Sequence, residues 1–114
     1  MYCFKKLKLN SDFRRIYGRG KSLVDPAFVA YAFKGRTANV RLGITVTKKI
    51  GGAVERNRAK RLLTAAFNEV AGDINSGWEF VLVARTRILK TKSQDIAFAL
   101  REFFLQEGII KKDA

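Results

Sequence analysis

The sequence contains no histidine. That excludes the Ser–His and Cys–His pairs of nucleophilic catalysis and removes the commonest zinc ligand. Cysteine occurs once, at Cys3, so no intramolecular disulfide can form and no Cys/His cluster can hold a metal. A reducing compartment fits that usage. Acidic residues are scarce and scattered, 10 Asp and Glu against 23 Lys and Arg. A protein-only hydrolase is hard to assemble from such side chains. No apolar run approaches the roughly 18–20 residues of a membrane span. Residues 1–10 alternate lysines with single apolar residues and lack the continuous apolar stretch of a secretory signal. The expected location is the cytoplasm.

What is present is a compact amount of apolar sequence carrying a large positive charge. Apolar residues make up 47 % of 114 positions, enough for a real core in one domain spanning 1–114. The net charge is +13. Self-repulsion at that density destabilises a compact state, and a polyanionic partner relieves it. Nucleic acid is the first candidate and an anionic membrane surface the second.

Hydrophobic periodicity sets the elements. Asn10 or Ser11 can cap a first helix, with Asp12 in its first turn and Phe13, Ile16 and Tyr17 on one face. Gly18 and Gly20 end it. Past Pro26, Phe28–Lys34 is a run of β-formers, and 35–39 is a turn. Val40–Thr47 alternates cleanly: Val40, Leu42, Ile44 and Val46 against Arg41, Gly43, Thr45 and Thr47. A basic loop with two glycines, Lys48–Gly52, leads into a long helix over Ala53–Ala71. Its apolar stripe is Ala59, Leu62, Leu63, Ala66, Phe67 and Val70. Trp78–Ala84 is a nearly continuous apolar run, expected as a central strand buried on both faces. Ser93 can cap a last helix with Ile96, Leu100, Phe103 and Phe104 inward, ended by Gly108. Residues 111–114 are expected to fray. The order is helix, two or three strands, helix, strand, helix. That gives an α+β sandwich with a mixed sheet and helices mainly on one face.

The densest basic cluster is Arg56-Asn57-Arg58-Ala59-Lys60-Arg61, at the start of the long helix. At 100° per residue, Asn57, Lys60, Arg61, Thr64 and Asn68 share one arc, opposite the apolar stripe. Most charged helix faces are merely solvated, but three points weigh against that here. Four cations in six residues face one neighbouring acid, Glu55, so pairing along the helix cannot neutralise them. Cations in a first turn oppose the helix dipole, at ~0.3–1 kcal/mol each. Finally, the free N–H groups of a helix start already favour phosphate. Lys48 and Lys49 lead into the same corner.

The stretch from Thr47 to Leu62 resembles the signature of the bacterial ribonuclease P protein family, with its lysine pair, glycine-containing loop and Arg-Asn-Arg-x-Lys-Arg helix. Further stretches are similar in the same order: Ser11-Asp12-Phe13 with Tyr17 and Gly20, Phe28-Val29-Ala30-Tyr31, Arg41-Leu42-Gly43, and Val81-Leu82-Val83-Ala84-Arg85. The resemblance implies an α-β-β-β-α-β-α sandwich like the second domain of a small-subunit ribosomal protein, with a left-handed crossover around the long helix. It implies a large catalytic RNA as partner, one protein per RNA, and phosphodiester hydrolysis by that RNA with bound Mg²⁺. The protein would then assist removal of the 5′ leader from precursor tRNA, with no metal site and no catalytic residue of its own.

Residue roles follow from the matched positions. Arg56, Asn57, Arg58, Lys60 and Arg61 match the family's RNA-contacting motif. Arginine suits phosphate because its planar fork donates two parallel hydrogen bonds. Asn57 can bond a base edge or a 2′-OH, or simply fix the helix start. The leader cleft is expected to be lined by Phe13, Tyr17, Tyr31, Thr45 and Thr47, with Lys48, Lys49 and Arg85 supplying charge. Phe13 and Tyr17 read more readily as core residues without the family; with it, they line the cleft and Ile16 becomes the core contact. The chain departs from the family at Thr64, where members often extend the basic face by another turn. Two rival readings remain at this level, a structural rRNA-binding protein of the ribosome and a DNA-binding module.

Overall fold

The computed structural model describes residues 5–6, 10–35, 40–75 and 77–110. The expectations for Cys3, most of the 35–39 turn and the 111–114 tail lie outside them. The chain runs β1 (Lys5–Lys6), α1 (Asn10–Arg19), β2 (Lys21–Val24), β3 (Phe28–Lys34), β4 (Arg41–Thr45), α2 (Ala53–Ala71), β5 (Trp78–Ala84), a 3-10 helix over Thr86–Lys90, and α3 (Ser93–Gln106). Apart from the dipeptide β1 and the 3-10 turn, this is the α-β-β-β-α-β-α order expected from the sequence.

The strands form one mixed sheet in the order β1-β4-β5-β3-β2. Strand β5 is central, as its apolar run requires. It pairs parallel with β4 and antiparallel with β3, and β2 closes one side as a hairpin on β3. Parallel neighbours need a long connection, and α2 supplies it between β4 and β5.

Each strand alternates its side chains between two unequal layers. One face carries Phe28, Ala30, Ala32, Leu42, Phe80, Leu82 and Ala84 against α2 and α3 in the principal core. The inward residues of α2 are Ala59, Leu63, Ala66, Phe67, Val70 and Ala71. Those of α3 are Ile96, Ala97, Leu100, Phe103 and Phe104. An aromatic cluster knits the three elements: Phe67–Phe80 at 5.3 Å edge-on and Phe80–Phe104 at 5.0 Å. Such pairs add about 0.5–1.5 kcal/mol each beyond area burial. The other face holds a smaller cluster. Fully buried Ile16 of α1 sits against Val81, with Phe13, Tyr31, Phe33 and Val83 packed around them. Among the described residues one short helix, α1, covers this face, and part of it stays open.

Two local readings need correction. β4 stops at Thr45; Val46 still packs on the core, but Thr47 is exposed in the following turn and does not belong to the sheet face. The turn is closed by Ile50 N–H to Thr47 O at 3.1 Å, with Ile50 buried as its anchor. Ser93 is already helical in α3; the capping position is Lys92, which makes no side-chain cap. Trp78–Ala84 is the central strand with both faces largely buried, as expected, and the one acid within it, Glu79, is buried as well. Gly108 does end α3. Its φ of 72° suits glycine, and Ile109 N–H returns to Phe104 O at 2.8 Å.

Candidate nucleic-acid interface

The sheet face under α1 is built in rows by strand register. Val29 and Thr45 flank Val83, and Tyr31 and Gly43 flank Val81. Phe33 and Arg41 flank Glu79 in the next row. These rows all lie on the α1 side of the sheet. The helix crosses this face with Ile16 inward and lays different side chains to either flank. Towards the ends of β4 and β5 that carry Thr45 and Ala84 it presents Phe13, Arg14 and Tyr17, which with Thr45 line a concave trough. Tyr17 meets Tyr31 edge-on at 4.8 Å and Phe13 at 6.4 Å. Its hydroxyl lies 3.4 Å from Thr45 Oγ1, a weak hydrogen bond. Tyr17 is 39 % exposed, while Phe13, Tyr31 and Thr45 are half-buried. The rings therefore keep accessible surface while packing holds their orientation. That suits stacking on unpaired bases.

The structure brings together Phe13, Tyr17, Tyr31 and Thr45 from the expected cleft set. Lys48 and Lys49 are exposed on the loop just beyond Thr45. Arg85 follows directly on β5, and its Nη1 donates to Asp25 O at 3.0 Å in the β2–β3 turn. Thr47 stands apart in the loop. Sequence reasoning missed Arg14 at the trough and Val83 packed beside its rings. Strand alternation was the available signal for Val83, which shares a face with Tyr31 through the β5 register.

The basic helix begins within eight residues of Thr45. Gly51 adopts φ +147°, and a β-carbon there would press on Glu55 at 3.0 Å, so glycine is needed where the loop turns into α2. Gly52 occupies the N-cap without a side-chain cap. The first N–H groups of α2 thus have no side-chain acceptor at the cap, which is the condition for anion binding at a helix start. Asn57, Arg58, Lys60 and Arg61 are exposed beside a half-buried Arg56 on the opening turns. Among the described residues the ion pairs are Arg15–Glu79, Arg41–Glu79 and Arg101–Asp73, so no carboxylate there neutralises this cluster. Farther along the same arc, Thr64 and Asn68 are half-buried, so the accessible basic surface is confined to the first turns.

The largest surprise lies beneath α1. Glu79 is 2 % exposed. Its Oε1 and Oε2 accept from Arg15 Nη2 at 2.9 and 3.1 Å, and Oε2 also accepts from Arg41 Nη1 at 2.9 Å. Arg15 in turn lies 5.4 Å over the Phe33 ring. One carboxylate thereby ties α1, β4 and β5 together. The only carboxylate in a buried apolar strand is a sequence signal for such a partner, because charges are almost never fully buried unpaired.

Among the described residues no group of three or more His, Cys, Asp or Glu side chains is placed to hold a metal ion. None of the described helices is long and apolar enough to cross a membrane.

Comparison with known proteins decides the family. The ribonuclease P family model matches residues 1–107. The chain belongs to the ribonuclease P protein family. It is 36 % identical over 110 residues to the ribonuclease P protein component of Bacillus cereus strain G9842, covering 94 % of this chain and 96 % of that one. It is 34 % identical over 105 residues to that of Bacillus anthracis strain CDC 684, covering 91 % and 88 %. Among solved structures, the Staphylococcus aureus RNase P protein superposes with a TM-score of 0.77 at 29 % identity, covering 96 % of this chain and 100 % of that one. The Thermotoga maritima RNase P protein gives 0.74 at 29 % identity, covering 90 % and 96 %. Membership in the ribonuclease P family places the chain in tRNA processing, as a component of an endoribonuclease, and sets aside the ribosomal and DNA-binding rivals.

Proposed function

We propose that this protein binds the catalytic RNA of ribonuclease P through the start of α2 and holds the 5′ leader of precursor tRNA in the trough beside α1. Arg56, Arg58, Lys60 and Arg61 grip phosphates of the catalytic RNA, and Asn57 contacts a base edge or 2′-OH. Phe13, Tyr17 and Tyr31 stack leader bases, with Thr45 bonding an edge. Lys48, Lys49 and Arg85 follow the leader backbone at the mouth of the trough. One protein serves one RNA, in the cytoplasm.

The observation that carries this reading is continuity. The aromatic trough ends at Thr45, and the chain passes within eight residues into an unneutralised, uncapped basic helix start. Two surfaces of different chemistry, one for bases and one for phosphates, therefore adjoin at one end of the sheet. A single protein can contact a catalytic RNA and that RNA's substrate at once.

Hydrolysis is assigned to the RNA with its Mg²⁺. The buried carboxylate of Glu79 is engaged by two arginines and serves the fold. The protein's contribution is binding energy and position. Its cations offset phosphate repulsion between the two RNAs, and the trough fixes the leader relative to the cleavage point.

The test compares precursor with mature tRNA binding to the RNA–protein complex. Phe13→Ala with Tyr17→Ala is expected to weaken precursor binding about tenfold or more, from ~1–3 kcal/mol per stacked base, and to leave mature tRNA unchanged. Equal loss for both substrates would remove the leader role.

A further inference from the structure

The flank of α1 opposite the trough holds a second concavity. Its wall includes Arg15, Arg19, Lys34 and Arg41, with Phe33 and Glu79 at its base. Four cations therefore surround one carboxylate. Glu79 fixes two of them: Arg15 and Arg41 are 38 % and 23 % exposed and held in place by bonds of 2.9 Å. Arg19 and Lys34 are exposed at the rim. Gly35 borders the same space, and a β-carbon there would collide with the Glu79 carboxylate, so the position adds no side chain to fill the hollow. Among the residues that line the recess, cations outnumber carboxylates four to one, and the inner cations are set by an internal tie. Concave walls of one sign concentrate field, and fixed donors lose less entropy on binding than mobile ones.

We infer that this recess is a phosphate-binding subsite that takes a phosphodiester of a single-stranded RNA continuing past α1 from the trough. The class of ligand follows from the charge and from the half-open, concave shape between two exposed basic side chains. The trough and the recess are four residues apart along β5, from Val83 beside Thr45 to Glu79 beside Arg41. At ~3.3 Å per residue that is about 13 Å, a span that one strand of several nucleotides covers. Arg19 and Lys34 make the direct contacts, and the Arg15–Glu79–Arg41 tie supplies the fixed field behind them. The inference rests on the trough reading for the path of the strand.

The test uses the full chain with end-labelled oligoribonucleotides of about four and about ten nucleotides, within the range of single-strand site sizes. Affinity is read by anisotropy across a salt series. Arg19→Ala with Lys34→Ala is expected to weaken the longer strand and to lower its log–log salt slope by about 0.7 for each phosphate no longer neutralised. The shorter strand, which fills the trough alone, is expected to bind as before. Both positions are exposed, so the fold is expected to tolerate the change. An unchanged slope for the longer strand would show the recess to be a solvated patch and overturn the inference. Phe13→Ala with Tyr17→Ala serves as the separate arm. If it spares the shorter strand, the trough reading fails, while the recess is still judged by the slope of the longer one.

Discussion

Replacing Glu79 by glutamine is the sharpest probe of how the fold holds its binding face. The substitution keeps size and shape but removes the charge and one acceptor. In the native geometry Oε2 accepts two hydrogen bonds and Oε1 one. The best glutamine orientation keeps its oxygen at the Oε2 position. Its amide then points at Arg15 Nη2, donor against donor, and both guanidiniums lose the charge of Glu79. Breaking a buried ion pair by removing one partner costs about 3–5 kcal/mol. Arg15 and Arg41 keep 38 % and 23 % of their side-chain surface, so water recovers part of that. Discounted for that solvation, the expected loss is roughly 2–3 kcal/mol, read as a lower urea midpoint at constant m. Because α1 carries Phe13 and Tyr17, the same variant should bind a leader strand more weakly. Replacing Arg15, Arg41 and Glu79 together with methionine should recover most of the stability, since an apolar substitute for a buried ion pair is often neutral. A Glu79→Gln protein within about 0.5 kcal/mol of the parent, the usual scatter of surface changes, would refute the role of the tie.

Other expectations are simpler to state. Arg56→Ala with Arg61→Ala should weaken assembly with the catalytic RNA and reduce the log–log salt slope by about 0.7–0.9 per phosphate no longer neutralised; an unchanged slope would make the helix start a solvated face. Phe67→Ala removes a fully buried ring between β5 and α3 and should cost about 3–5 kcal/mol in urea unfolding. With a net charge of +13, the isolated protein should melt higher as sulfate is added, since excluded and screening anions both favour the compact state. A melting temperature that falls with sulfate would contradict that balance.

Elements with strong periodicity were legible before any coordinates. The α2 stripe and the β5 run matched their observed bounds because each buries a continuous apolar face. Ile16 was separable from Phe13 and Tyr17 once the family assigned the two rings elsewhere, and it alone of the three is fully buried. The β1 pairing and the 3-10 turn over Thr86–Lys90 were not legible, since two and five residues carry no usable period. Thr47 was placed on the strand because alternation continues through it, but the backbone leaves the sheet after Thr45 to make the turn into α2. The Glu79 tie depends on partners 64 and 38 residues away. Sequence could signal that Glu79 needs a cation, not which arginines answer it.

The central claim divides the labour: the protein grips phosphates and positions the leader, and RNA cuts. Cleavage of a precursor tRNA by a catalytic ribonuclease P RNA at low Mg²⁺, with and without this protein and beside the RNA-free protein alone, measures that division. The account predicts a clear rise in cleavage when protein joins the RNA and none from the protein by itself. Cutting by the RNA-free polypeptide, or no rise on adding it to the RNA, would contradict it.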